Sequence, residues 1–157
     1  MSKLTHNHIW WLLLVSCLIL IPHLSVIEIN IMEARNFITA REMVANKDWI
    51  LTTINGLPRY EKPPLPTWLT AISGILFGFE NIFGLRLAVV FITILLVLST
   101  YKLSEKLGLD KQQNFHNGLI LITSFYIYFA GRDNQWDMYT HSFMMVCIVF
   151  LWKFMNE

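Results

Sequence analysis

Residues 32 to 66 read M-E-A-R-N-F-I-T-A-R-E-M-V-A-N-K-D-W-I-L-T-T-I-N-G-L-P-R-Y-E-K-P-P-L-P, and the fold turns on how this stretch is understood. It gathers three neighbouring pairs of opposite charge, Glu33 with Arg35, Arg41 with Glu42 and Glu61 with Lys62, between two strongly apolar regions where unpaired charge is costly. A polar loop on the water side of a membrane, carried by apolar helices, accommodates such a segment.

Composition agrees. Hydrophobic residues make up 55% of the chain and the mean hydropathy is +0.48, against an apolar share of about 45–50% in soluble domains. The apolar residues come in blocks. The 157 residues leave room for about four crossings of about 20 residues plus one loop of this size. The predicted fold class is therefore all-α integral membrane, a single domain over 1–157. A net charge of +1 argues against nucleic acid as a partner.

Ahead of the loop, residues 9 to 27 form the first predicted span, interrupted by Ser16, Pro22, His23 and Ser25. It reads as an uncleaved span because no small-residue cleavage signature follows it, and Pro22 should kink its outer half. Within the loop, Asn30 should cap a helix, with Glu33 reaching back to it. Arg35, Thr39, Glu42 and Asn46 make a polar stripe opposite Ala34, Phe37, Ile38, Val44 and Ala45, so this helix should lie on the membrane surface. Arg41 falls in the apolar stripe and must snorkel or meet a carboxylate. Asn55-Gly56 is a two-residue hairpin turn. The run Glu61-Lys62-Pro63-Pro64-Leu65-Pro66 is stiffened by its prolines and gives Glu61 and Lys62 fixed positions before the next helix starts.

Beyond the loop, fifteen helical residues from 65 to 79 would rise only about 22 Å, short of a hydrocarbon layer of about 30 Å. They read as a second interfacial helix. Further spans are predicted at 82–103, with Arg86 near its start, at 115–130 and at 138–153. This puts the loop at 28–64 and the polar loop at 131–137 on one face, with Lys3, the 102–111 turn and Lys153 on the other. The positive-inside rule assigns the second face to the cytoplasm, once the five basic residues of the 28–64 loop are discounted for having acidic partners there.

The loop charges suggest a chemistry. Glu33 and Asp137, flanked by Arg35, Lys62 and Arg132, suit transfer of a group away from a phosphate: a carboxylate takes the proton of the attacking acceptor, and cations stabilise charge on the departing phosphate oxygen. The plainer reading is that Glu33 and Asp137 serve only as helix caps. Asp137 and His141 lie one helical turn apart. The aspartate could orient His141 as a base or a metal ligand, or His141 could simply face a neighbouring helix through one hydrogen bond.

The segments E-A-R-N-F-I-T-A-R-E-M, K-D-W, N-G-L-P-R-Y-E-K-P-P-L-P-T-W-L-T-A, F-G-L-R-L and G-R-D-N-Q-W-D-M-Y-T, in this order over residues 28 to 145, resemble the amino-terminal portion of membrane glycosyltransferases of the C-type fold. The similar families are the lipid A aminoarabinose transferases and the protein O-mannosyltransferases. The resemblance implies inverting transfer of a sugar from a polyprenyl-phosphate carrier to a glycolipid or protein acceptor on the outer face of a bacterial inner membrane. It implies that Arg35 and Lys62 hold the carrier phosphate, that Glu61 is a ligand of a divalent metal ion, and that Asp137 is the acidic residue opening the last span. Where relatives carry an Asp-Glu pair, this chain has Met32-Glu33. Either Glu33 or Glu28 then takes the catalytic role, or the step is not the same. Those families are much longer, so the chain is expected to be a fragment or to lack a carboxy-terminal portion. The rival expectation is a non-enzymatic membrane subunit that binds polyprenyl phosphate or partner helices.

Overall fold

The structure, a computed structural model, describes residues 8–156. It is helical apart from one small hairpin: α1 (His8–Leu20), α2 (Ile31–Asn46), β1 (Thr53–Ile54), β2 (Leu57–Pro58), α3 (Leu65–Phe77), α4 (Ile82–Lys106), α5 (Lys111–Thr123), α6 (Phe125–Ala130) and α7 (Trp136–Asn156). α4 is the axis, packing against α1, α3, α5 and α7. Leu12, Leu20, Val89, Leu96, Ile122 and Met138 form the centre of the main core. The approach of α1 to α5 depends on Gly118, where a Cβ would lie 2.5 Å from Leu12 Cδ2.

Among the described residues, α4 and α7, with 25 and 21 residues, are the two helices long and apolar enough to cross a membrane. The expected first span is shorter as a helix than the 9–27 block: α1 stops at Leu20. Pro22 ends it instead of kinking it, because the residue before a proline is pushed out of the helical region. Residues 21–27 continue as turns, with His23 at φ 57. The span expected at 115–130 is likewise two helices. Ser124, extended at ψ 139, interrupts it, and both its N–H and its hydroxyl donate to the Leu121 carbonyl.

α2 begins at the expected cap. Asn30 Oδ1 accepts the N–H groups of Met32 and Glu33 at 2.9 and 3.0 Å. Glu33 does not reach back to complete a capping box, since its side chain turns inward to Arg86. The buried face of α2 is mixed in polarity, with Glu33, Asn36, Phe37, Thr39, Ala40 and Met43. Thr39, expected on the solvated stripe, is inside, because Arg59 supplies a partner there. Arg41 is exposed and 4.0 Å from Glu80.

The Asn55-Gly56 turn joins the two strands, paired Thr53↔Pro58 and Ile54↔Leu57. Both turn residues have positive φ, 51 and 74, as the twist of a tight hairpin requires. α3 is built inside out. Pro66, Thr67, Thr70, Ala71, Ser73 and Gly74 face the protein, while Ile72, Ile75 and Leu76 stand 48–71% exposed. Small residues between helices and large aliphatic ones outward are what an apolar solvent selects.

Candidate functional site

The turns at 21–27 leave backbone carbonyls outside any helix, and buried carbonyls need donors. Two arginines supply them. Arg86, wholly buried on α4, donates through Nη1 to the carbonyls of Leu24 (2.6 Å) and Ile27 (2.9 Å). Through Nε and Nη2 it grips both oxygens of Glu33, at 2.7 and 2.6 Å. Arg132 donates to the Pro22 carbonyl and to the Tyr128 hydroxyl, with its guanidinium 5.1 Å from the Tyr128 ring centroid.

Asn134 extends this hub. Its backbone N–H donates to Glu33 Oε1 at 3.0 Å, and its side-chain amide donates to Thr70 Oγ1 and to the Leu85 carbonyl. Its Oδ1 accepts the Tyr139 hydroxyl at 2.7 Å, and its carbonyl accepts from Asn36 at 2.8 Å. One residue thus ties α2, α3, α4 and α7 together.

A second polar assembly fixes the hairpin to α2. Arg59, 6% exposed, donates through Nη1 to the Arg35 carbonyl (3.0 Å) and to Thr39 Oγ1 (2.7 Å). On the other side of the hairpin, Glu42 accepts the Thr53 hydroxyl at 2.5 Å and the N–H groups of Asn55 and Gly56 at 2.6 and 3.3 Å. The Thr53 hydrogen bond, then the turn amides and Arg41, hold its carboxyl below the ordinary value against the opposing effect of partial burial.

Beside the start of α2 opens a cavity of ≈ 270 Å³. Its polar lining is Glu28, Asn30, Asp133, Gln135 and Asp137, and its apolar lining includes Phe125, Tyr126 and Phe129. Three carboxylates line it and no basic side chain does. Asp133 Oδ2 accepts from Asn30 at 2.7 Å and from Gln135, while its Oδ1 is buried without a hydrogen-bond partner. Burial first, and then the charge of Glu33, push the Asp133 carboxyl above its usual value.

The residues expected to meet in one watery pocket do not do so. Asp137 lines the cavity, as does Glu28. Glu33 is 0% exposed with both oxygens engaged, so it reaches no substrate unless its bond to Arg86 breaks. Arg132 is buried and outside the cavity lining; its two Nη groups donate to Tyr128 and Pro22, while its Nε has no hydrogen-bond partner. Arg35, Glu61 and Lys62 lie outside the cavity lining, and all three are exposed. Glu61 sits 4.0 Å from Arg59 Nε. His141 faces the Tyr126 hydroxyl at 3.4 Å, a single contact to a neighbouring helix. Among the described residues no three His, Cys, Asp or Glu side chains are grouped as a metal site requires, and Glu61 beside an arginine does not make one.

Arg86, Arg59 and Asn134 are structural centres, and Asp133 a cavity residue, that the sequence does not single out. For Arg86 the signal is present: an arginine in an otherwise apolar span needs a buried acid, and Glu33 is the acid.

This fold is that of an all-helical membrane glycosyltransferase. It superposes on the crystal structure of ArnT from Cupriavidus metallidurans in the apo state with a TM-score of 0.83, at 23% identity, covering 96% of this chain and 28% of that one. The model of the dolichyl-phosphate-mannose-protein mannosyltransferase family matches residues 61–157, and the chain belongs to that family. It is 32% identical over 113 residues to an undecaprenyl phosphate-alpha-4-amino-4-deoxy-L-arabinose arabinosyl transferase of Pseudomonas savastanoi pv. phaseolicola, covering 69% of this chain and 21% of the relative. It is 30% identical over 131 residues to another such transferase, from Sodalis glossinidius, covering 81% of this chain and 23% of the relative. The chain thus spans about a fifth of the length of the curated relatives it matches.

Proposed function

We propose that the chain is part of a glycosyltransferase that moves an amine-bearing sugar from a polyprenyl-phosphate carrier to a glycolipid or protein acceptor at the outer face of the membrane. The observation that carries this reading is the cavity with three carboxylates, no basic side chain and an aromatic wall. An ammonium on a sugar ring suits it, because carboxylates and aromatic faces both attract cations. The arabinosyl transferases similar to this chain are named for a 4-amino-4-deoxy sugar on undecaprenyl phosphate.

The site has two poles. At the outer pole, Arg35 and Lys62 neutralise the carrier phosphate. At the cavity pole, Glu28 and Asp133 hold the ammonium, and Asp137 accepts the proton of the acceptor nucleophile. The acceptor atom bonds to the anomeric carbon from the face opposite the phosphate. The bond from that carbon to the phosphate oxygen breaks, and its electron pair leaves with the carrier. Glu28 stands at the cavity in place of Glu33, which serves the fold. Should Glu61 ligate a divalent metal, the other ligands come from outside the described residues, and none of these steps depends on it.

Asp137→Asn and Lys62→Ala, each tested in membranes containing the protein at its natural length, should abolish sugar transfer while leaving the amount of folded protein unchanged. Near-normal turnover in both would refute the reading. One feature favours a non-catalytic carrier-binding subunit instead: the first turn of α2 offers the apolar Met32 and a Glu33 withdrawn from solvent. That reading expects wild-type protein to bind the carrier lipid and transfer nothing.

A further inference from the structure

Glu42 is on α2, away from the cavity, yet its carboxylate is fully occupied by a segment that contains no helix. The Thr53 hydroxyl and the N–H groups of Asn55 and Gly56 all converge on it, at 2.5, 2.6 and 3.3 Å. A two-residue turn with both central residues at positive φ points successive backbone N–H groups the same way, and such a concavity binds an anion. Here the anion is a side chain of the neighbouring helix. An isolated two-stranded hairpin is marginal in water, and this one has two paired residues on each strand, so its shape depends on the clamp.

The segment after the hairpin gives the clamp its purpose. The chain leaves β2 into Arg59, which is buried and bonded to α2 through the Arg35 carbonyl and Thr39, and Thr52 donates to the Arg59 carbonyl. Three residues later come Lys62 and then the proline pair. Lys62 itself is exposed. Its neighbour Glu61 lies 4.0 Å from Arg59 Nε, Arg59 bonds to the Arg35 carbonyl, and the prolines that follow stiffen the arm.

We propose that Glu42 is a positioning residue: by clamping the 53–56 turn onto α2 it sets the Glu61–Lys62 arm against Arg35, and so shapes the contact with the carrier phosphate. This rests on the proposed roles of Arg35 and Lys62 at that phosphate. Glu42 touches neither sugar nor phosphate.

The test uses the chain in lipid nanodiscs, with undecaprenyl phosphate as the probe. Wild type, Glu42→Gln, Glu42→Ala and Lys62→Ala are compared by amide hydrogen exchange and by the Kd of the lipid. In Glu42→Ala the Asn55 and Gly56 amides should each exchange about tenfold faster or more, tenfold being the lower bound for an amide that loses one hydrogen bond to a charged group, and the Kd should rise about tenfold. Glu42→Gln keeps one acceptor oxygen and should fall between wild type and Ala in both measurements. Exchange at Asn134 should not change in any of them, which separates loss of positioning from general unfolding. Unchanged exchange at Asn55 in Glu42→Ala overturns the clamp. Faster exchange with an unchanged Kd, while Lys62→Ala still weakens binding, overturns the positioning role alone. A wild type whose Kd equals that of Lys62→Ala overturns the assignment of Lys62 to the phosphate, and the inference falls with it.

Discussion

Replacing Arg86 with Met removes every donor that the hub places on α4. Met fills much of the volume of the arginine stem and carries no charge, so the change isolates the guanidinium. Glu33 is then left buried, at 0% exposure, without its cation and with the Asn134 N–H as its remaining donor. Breaking a buried ion pair by removing one partner costs about 3–5 kcal/mol. The carbonyls of Leu24 and Ile27 lose their donor as well, at about 1 kcal/mol or more each. The single variant should therefore lose on the order of 5 kcal/mol, which is most of the stability of an ordinary domain. Adding Glu33→Gln to it replaces the stranded carboxyl with a neutral amide, and the double variant should be more stable than Arg86→Met alone. Reversible unfolding in mixed micelles, run on wild type, both singles and the double, measures this as a cycle. A loss below about 1 kcal/mol for Arg86→Met, or a double variant no better than the single, would refute the claim that this pair holds the fold.

Three further outcomes are expected. Gly118→Ala should destabilise by about 1–3 kcal/mol, the range for overpacking, because its Cβ meets Leu12 Cδ2 at 2.5 Å; Leu12→Ala in the same chain should recover part of the loss in the same unfolding assay. Asp133→Asn should stabilise at neutral pH and lose that advantage at acid pH. The sign comes from a carboxyl whose value rises on folding: the folded state binds the extra proton, so the wild type gains stability as pH falls and is penalised above the folded value. Unfolding at two pH values measures it, and an advantage that grows toward acid would contradict it. Topology reporters fused at Asn55 and Asn134 should mark the same side of the membrane, with Glu105 on the other; opposite sides for the first two would dismantle the proposed site.

Features that depend on local backbone preference are legible in the sequence. Asn30 caps α2, Asn55-Gly56 makes the hairpin, and the proline run precedes α3. Each is decided within a few residues. Pairings at long range are not. By its sequence Glu33 is a cap partner for Asn30, three residues away, whereas in the fold it binds Arg86, 53 residues on. Arg132 likewise reads as a cation free for a phosphate, whereas it donates to the Pro22 carbonyl, 110 residues away. Loop charges look free in a sequence because their acceptors are often backbone carbonyls, and which carbonyls a helix break exposes is known only once the break is located. A kink at Pro22 would leave few carbonyls to satisfy; a full stop leaves several. The cavity is half legible: Asp137 and Glu28 stand out in the sequence, while Asp133 looks like one more residue of a polar loop.

The buried pair also bears on how the chain is made. Glu33 is synthesised 53 residues before the arginine that neutralises it, and Asn134, which donates to the same carboxylate, follows much later still. An arginine resists entry into lipid, by about 2.5–3.5 kcal/mol at the centre of a span and by less near its end, where Arg86 lies on α4. α4 therefore enters the bilayer most easily when the earlier segment is waiting beside it with its acid exposed. The order of synthesis thus puts the acid in place before the arginine that needs it, and the last donor to that acid arrives with the loop before α7.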